Sequence, residues 1–208
     1  MKKWIDITML LDESYLSYPG DEPIKIESEK SFDEAKYNMK RLNTNMHVGT
    51  HIDAPMHMLD SDLGIESIDI NQVVGKAIVI KPEIYYDIID TASIAKQYEP
   101  GYKILVLNLG HAQYQNTDKY FDLPMFDAKF LNFLLDNEIN LVAVDLPTVQ
   151  YYFGEPLEMH KNLLSNNILI VENLTNLGKL KKYIDFIGLP LKVKGLDGSM
   201  IRCIAKNR

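Results

Sequence analysis

The chain is poor in cysteine, with one, Cys203, in 208 residues. A single thiol excludes an intrachain disulfide framework and suits a reducing compartment. No apolar run approaches the roughly 20 residues that a membrane-spanning helix needs. The opening Trp4-Ile-Asp-Ile-Thr8 stretch meets an acid, Asp6, too early for the apolar segment of a signal peptide. The expectation is a cytoplasmic protein with no membrane partner. Positive charge is also scarce: 22 Lys and Arg stand against 29 Asp and Glu, a formal charge of −7. No basic run offers a phosphate footprint, which argues against a nucleic-acid partner. The Lys179-Leu-Lys181-Lys182 patch is short and reads as a solvated helix face. Repeats, low-complexity stretches and linkers are absent too. With 46% hydrophobic residues, one domain spanning residues 1–208 is expected.

What the chain does have is clustered histidine. Three of its five histidines fall within residues 47–57, which read His47-Val-Gly-Thr-His51-Ile-Asp53-Ala-Pro-Met-His57. Neutral imidazole and carboxylate suit divalent zinc and manganese, so the segment points to a metal centre. His47 and His51 have helical spacing, but Gly49 and Pro55 argue against a helix. In an extended segment, His51 and Asp53 share one face. Gly49 lets the backbone approach an ion, and Pro55 stiffens a turn that brings His57 back. The competing interpretation is a polar loop, or one core histidine hydrogen-bonded to Asp53.

Elsewhere the pattern predicts a mixed α/β domain. Strands are expected over 4–11, 37–47, 76–81, 102–108, 141–146 and 168–172. Helices are expected over 91–97, started by Asp90 or Thr91, over 127–137, and over 156–166 with Pro156 near its start. Asn173 to Leu180 reads as a loop running into a short helix. Residues 184–193 and 199–205 flank Gly195-Leu-Asp-Gly198 and suggest a closing antiparallel pair that contains Cys203 as small packing.

Two further residues are ligand candidates. Glu172 ends the aliphatic run Ile168 to Val171, and a carboxylate in a buried strand needs a partner. That partner is a metal, a cluster of backbone amides, or solvent at the strand's end. His160 sits beside Met159 and Leu163, where a satisfied core histidine is the simpler reading. Spacing alone does not bring either residue to the 47–57 segment.

The whole pattern resembles that of the cyclase-family metal hydrolases, a group that includes the bacterial arylformamidases. Residues 47–57 match the family's H-x-G-T-H-x-D-x-P-x-H at every fixed position. Similar features follow in the family's order. They are the Asp6-Ile-Thr strand, the Tyr18-Pro19-Gly20-Asp21 turn, the Val144-Asp145 strand end, and His160-x-x-Leu163-Leu164 followed by Val171-Glu172-Asn173-Leu174.

The resemblance implies a single mixed-sheet α/β domain of the swivelling β/β/α type, assembled as a homodimer or larger oligomer. It implies two zinc ions, with manganese as the other candidate. His47, His51 and Asp53 would hold the first, and Asp53 and Glu172 would bridge to a second also bound by His160. His57 would act as general acid/base. Tyr18 occupies the place of a substrate-stacking tryptophan. Asn108-Leu109-Gly110-His111 replaces an arginine-bearing segment, which removes one anchor for a substrate carboxylate. His111 is either a pocket residue or a loop histidine. Tyr114, Tyr120, Phe121, Tyr151, Tyr152 and Phe153 either line an aromatic pocket or pack at loop edges.

Three functions for a small-molecule site fit this reading. They are an aryl-formamide hydrolase, a single-manganese hydrolase of cyclic amides or lactones, and a non-catalytic metal-binding protein. An open cleft beside His57 would count against the third.

Overall fold

The computed structural model describes residues 3–152, 154–155 and 157–208. In chain order its strands are β1 (Ile5–Asp6), β2 (Lys25–Lys30), β3 (Met39–Asn43), β4 (His51–Asp53), β5 (Val74–Ile80), β6 (Ile84–Tyr85), β7 (Ile88–Ile89), β8 (Ile104–Leu107), β9 (Met125–Phe126), β10 (Leu141–Val144), β11 (Leu169–Glu172), β12 (Tyr183–Ile187), β13 (Gly198–Met200) and β14 (Ile204–Asn207). The helices are α1 (Phe32–Ala35), α2 (Ile70–Val73), α3 (Thr91–Gln97), α4 (Phe130–Asp136) and α5 (Glu158–Ser165).

Nine strands form one mixed sheet in the order β1-β14-β12-β5-β8-β10-β11-β4-β13. Its centre, β5-β8-β10-β11, is parallel, and the strands on both sides are antiparallel. Parallel centres need both faces covered, and β8, β10 and β11 are accordingly buried at every position. Alternate side chains go to opposite faces. Ile78, Leu105, Val142 and Ile170 join one core with Ile94 of α3, Leu134 of α4 and Leu163 of α5. Ala77, Val106, Ala143 and Val171 join the other, which the curled ends of the sheet supply with Phe186, Ala205, Ile52 and Ile201. This is the mixed α/β arrangement that the resemblance implied. Asp90 caps α3 by accepting from the Ala92 and Ser93 N–H groups.

Several expected elements differ in extent or pairing. The first strand is confined to Ile5–Asp6, with an isolated bridge from Thr8 to Leu174. The 37–47 segment forms β3, but in an exposed hairpin with β2 rather than in the main sheet. The closing pair is real only in part. β12 does pair antiparallel with β14, whereas β13 crosses to the opposite edge and pairs with β4. The Gly195–Gly198 turn therefore does not join the two halves of a hairpin; it delivers β13 to the metal-candidate strand. Cys203 lies just before β14 and is fully buried, and burial pushes its thiol pKa well up. Phe153 and Pro156, together with Met1 and Lys2, lie outside the described residues. Among the described residues no helix is long and apolar enough to cross a membrane.

Candidate metal centre

β4 and β11 are antiparallel neighbours, with Glu172 opposite His51 and Ile170 opposite Asp53. That register joins two stretches of chain that the sequence separates by more than a hundred residues. His51 and Asp53 point to one face of β4, while Ile52 between them enters the second core. Two neighbouring residues tie the strands together. Thr50 Oγ1 donates to the Asn173 carbonyl at 2.5 Å and accepts from the Met9 N–H at 2.8 Å. The buried Tyr120 hydroxyl donates to Asn173 Oδ1 at 2.7 Å.

The side chains converge. His51 Nδ1 donates to the Gly49 carbonyl at 2.8 Å, which leaves Nε2 facing the acids. Nε2 lies 3.4 Å from both Asp53 Oδ1 and Glu172 Oε2. His160, carried by α5 against β11, places Nε2 3.1 Å from Glu172 Oε1 and 3.8 Å from Asp53 Oδ2. The Val149 N–H donates to the same Glu172 oxygen at 2.9 Å. His47 Nδ1 lies 2.9 Å from Asp53 Oδ1. His57 ends a 3₁₀ turn, Pro55–His57, with Pro55 at its first position. Its ring stacks on His47 at 3.9 Å and stands 6.3 Å from the His160 ring.

The electrostatics follow from two buried carboxylates sharing one place. Burial opposes charge on His51, but its contacts with Asp53 and Glu172 override that and push its pKa up to about 10. His47 and His160 are raised against burial in the same way, by Asp53 and by Glu172 respectively. Burial opposes ionisation of both acids, yet the histidines hold Asp53 well below the usual carboxylate range and lower Glu172. His57 moves the other way. Burial lowers its pKa, and repulsion from His47 and His160 adds to that against the pull of Asp53.

This donor set fits a divalent cation. Asp53 Oδ2, 3.8 Å from His160 Nε2, is buried without a hydrogen-bond partner among the described residues, and unpaired buried polar atoms are costly. Apart from the Val149 N–H on Glu172, the acids are held ionised by surrounding imidazolium, a role that a cation can take over. One ligand atom each from His51, Asp53 and Glu172 lie within 4.8 Å of one another, and the same holds for His47, Asp53 and His57. All six histidine and acid residues singled out by the sequence are thus brought together. By distance, however, His57 is near enough to His47 and Asp53 to compete for a ligand role.

Asp197 was not singled out by the sequence. It lies within the Gly195–Gly198 turn, and its Oδ2 lies 2.9 Å from His47 Nε2 and 3.4 Å from His57 Nδ1. The only sequence signal was the Gly-Leu-Asp-Gly turn itself.

A cleft of about 300 Å³ opens beside the cluster. Tyr18, Met58, Pro147 and Leu157 give it an apolar side, and Asp21, Asn45 and Thr148 a polar one. Tyr18 meets Phe121 edge-on at 5.6 Å, which braces its ring. The other loop aromatics that are described do not line the cleft. His111 does not line it either: its Nε2 donates to the Tyr120 carbonyl at 2.9 Å and its ring stacks on Tyr120. Asp145 is buried and accepts from the Leu109 and His111 N–H groups, both at 2.9 Å, so it anchors that loop. Burial raises its pKa despite those donors.

Comparison with known proteins places this geometry in context. A family model described as putative cyclase matches residues 5–151. The kynurenine formamidase of Bacillus cereus is 28% identical over 211 residues, covering 98% of this chain and 97% of its own. An uncharacterized protein of Methanocaldococcus jannaschii is 35% identical over 204 residues, covering 97% of each. An isatin hydrolase bound to the product analogue thioisatinate superimposes with a TM-score of 0.85 at 20% identity, over 98% of this chain and 92% of its own. A potential metal-dependent hydrolase with cyclase activity gives 0.83 at 23% identity, over 100% and 99%. With the family model spanning well over half of its length and a 35% identical relative matched almost end to end, the chain belongs to the cyclase family.

Proposed function

We propose that this chain is a metal-dependent hydrolase that cleaves an amide C–N bond, with an aryl-formamide such as N-formylkynurenine as its substrate. The observation that carries the reading is the convergence of His51, Asp53, His160 and Glu172 at the floor of a cleft with His57 at its side. The kynurenine formamidase relatives, matched over nearly their whole length, support the substrate class. We assign His47, His51 and Asp53 to one zinc ion, and Asp53, His160 and Glu172 to a second, with manganese as the alternative metal. A divalent ion held there supplies Lewis acidity, which makes hydroxide available near neutral pH and polarises a carbonyl.

The chain's own residues do the rest. His57, kept neutral by its surroundings, accepts the proton released by water and hands it to the departing nitrogen, so that formamide and water become amine and formate. Tyr18, Met58 and Leu157 present an apolar wall to the aryl ring. The open cleft beside His57 argues against a purely metal-storing role. We also assign residues 1–208 to one domain, working in the cytoplasm as a homodimer or tetramer. The β2–β3 hairpin supports self-association, because it leaves Phe32, Tyr37, Met39 and Leu42 exposed and two-stranded hairpins are marginal alone.

Elemental analysis of metal per chain, paired with assays on formamides, isatin and lactones, tests the reading. Two equivalents of zinc and turnover of formamides are expected. One manganese per chain with turnover only of isatin or lactones would replace it with ring opening of cyclic substrates.

A further inference from the structure

We infer that Asp197 is a positioning residue that sets the ring orientation and tautomer of both His47 and His57 through one carboxylate oxygen. The inference rests on the ligand and acid/base roles proposed above. Oδ2 lies 2.9 Å from His47 Nε2 and 3.4 Å from His57 Nδ1, and the two rings are stacked at 3.9 Å with 28° between their planes. A carboxylate only accepts, so His47 Nε2 carries the proton of its hydrogen bond to Asp197, and the nearby negative charge favours the proton on His57 Nδ1 over Nε2. For His47 the other nitrogen, Nδ1, faces Asp53 Oδ1 at 2.9 Å and is the one that would give up its proton to a bound cation. For His57, Nε2 is then the nitrogen able to take a proton. One acid thus coordinates a ligand with a proton carrier. His51 is fixed by a backbone carbonyl in the corresponding way, and outer partners of this kind orient metal-binding imidazoles in general.

The position of Asp197 is built into the fold. The Ala54 N–H donates to the Asp197 carbonyl at 2.9 Å, and Gly198 pairs with Asp53 in the β13–β4 register. Glu66 accepts from the Gly195 N–H at 3.1 Å, and Gly195 itself has φ +78°, which secures the turn. A Cβ on Gly198 would come within 2.7 Å of His47 Cε1. The His47 ring is therefore held between the backbone of β13 and the acid one residue before it. The Asp197 side chain is 46% exposed, so nothing in its burial requires it for folding.

The test compares wild type with Asp197→Ala and Asp197→Asn, using thermal unfolding as the folding control. Zinc affinity is read by competition with a chromogenic chelator, and histidine tautomers by long-range ¹⁵N–¹H NMR. Both variants should keep the wild-type unfolding midpoint. In Asp197→Ala the zinc Kd should rise by about 10- to 100-fold, and His57 should lose its preference for the Nδ1–H tautomer. Asp197→Asn, which keeps one acceptor oxygen, should fall between. On a turned-over formamide, kcat should drop while KM stays near wild type. Wild-type zinc affinity together with unchanged tautomers in Asp197→Ala would overturn the inference. Affinity and tautomer need no substrate, so a wild type that hydrolyses no amide would sink the proposed function and leave this test standing.

Discussion

Truncating His57 to alanine separates the two roles that its position allows. Its ring lies against His47, near enough to Asp53 to join a ligand group, and also faces the cleft. If it carries protons, His57→Ala removes general acid/base assistance, which contributes roughly 10²- to 10⁴-fold. At about 1.4 kcal/mol per tenfold, the barrier rises by about 3–5 kcal/mol. The fold should tolerate the change. The side chain is 23% exposed and borders open cleft, so truncation enlarges the cleft instead of leaving a sealed void. His47, His51, Asp53, His160 and Glu172 remain, and metal content should stay at the wild-type stoichiometry. The assay pairs elemental analysis of the purified variant with steady-state hydrolysis of a formamide followed by amine absorbance. Metal lost in proportion to activity would refute the reasoning and make His57 a ligand.

His51→Ala should release metal and abolish turnover together, because it removes the imidazole that faces both buried acids; retained stoichiometric metal by elemental analysis would remove His51 from the ligand set. Metal binding should weaken as pH falls. The folded-state pKa values of His47, His51 and His160 are all raised, so these rings hold protons in the metal-free chain that an ion must displace. Calorimetry in buffers of different ionisation enthalpy should show proton release on zinc binding, and its absence at neutral pH would contradict the charge balance. Tyr120→Phe strands the buried Asn173 Oδ1 acceptor and should cost about 1–3 kcal/mol, read as a fall of roughly 2–4 °C in Tm per kcal/mol. An unchanged midpoint would remove the Tyr120–Asn173 bond from the framework behind Glu172.

The central strands were legible because burial on both faces forces continuous aliphatic runs, as in Ile104–Leu107 and Leu141–Val144. α3 was legible for a local reason as well, since Asp90 caps its own following N–H groups. The pairing of residues 198–207 was not. Gly198–Met200 and Ile204–Asn207 look alike as short strands, and only packing sends the first to β4 and the second to β12. Asp197 stayed invisible for the same reason. The loop aromatics were no easier to assign, because apolar rings satisfy either a core or a cleft, and Tyr120 went to the core.

By itself the sequence determined the chemistry available: imidazoles and acids at a spacing that Gly49 and Pro55 keep out of a helix, and too little cysteine or basic charge for the competing classes. Only the tertiary structure decided which of them meet. His51 and Glu172 face each other because one antiparallel register, set by the burial of Ile52 and Val171 in a shared core, admits no slip without turning every side chain over. The same register carries Gly198 against Asp53 and so brings Asp197 to the two histidines. Ligand type is a property of single residues, whereas convergence is a property of the packing that leaves these few polar groups one common place to be buried.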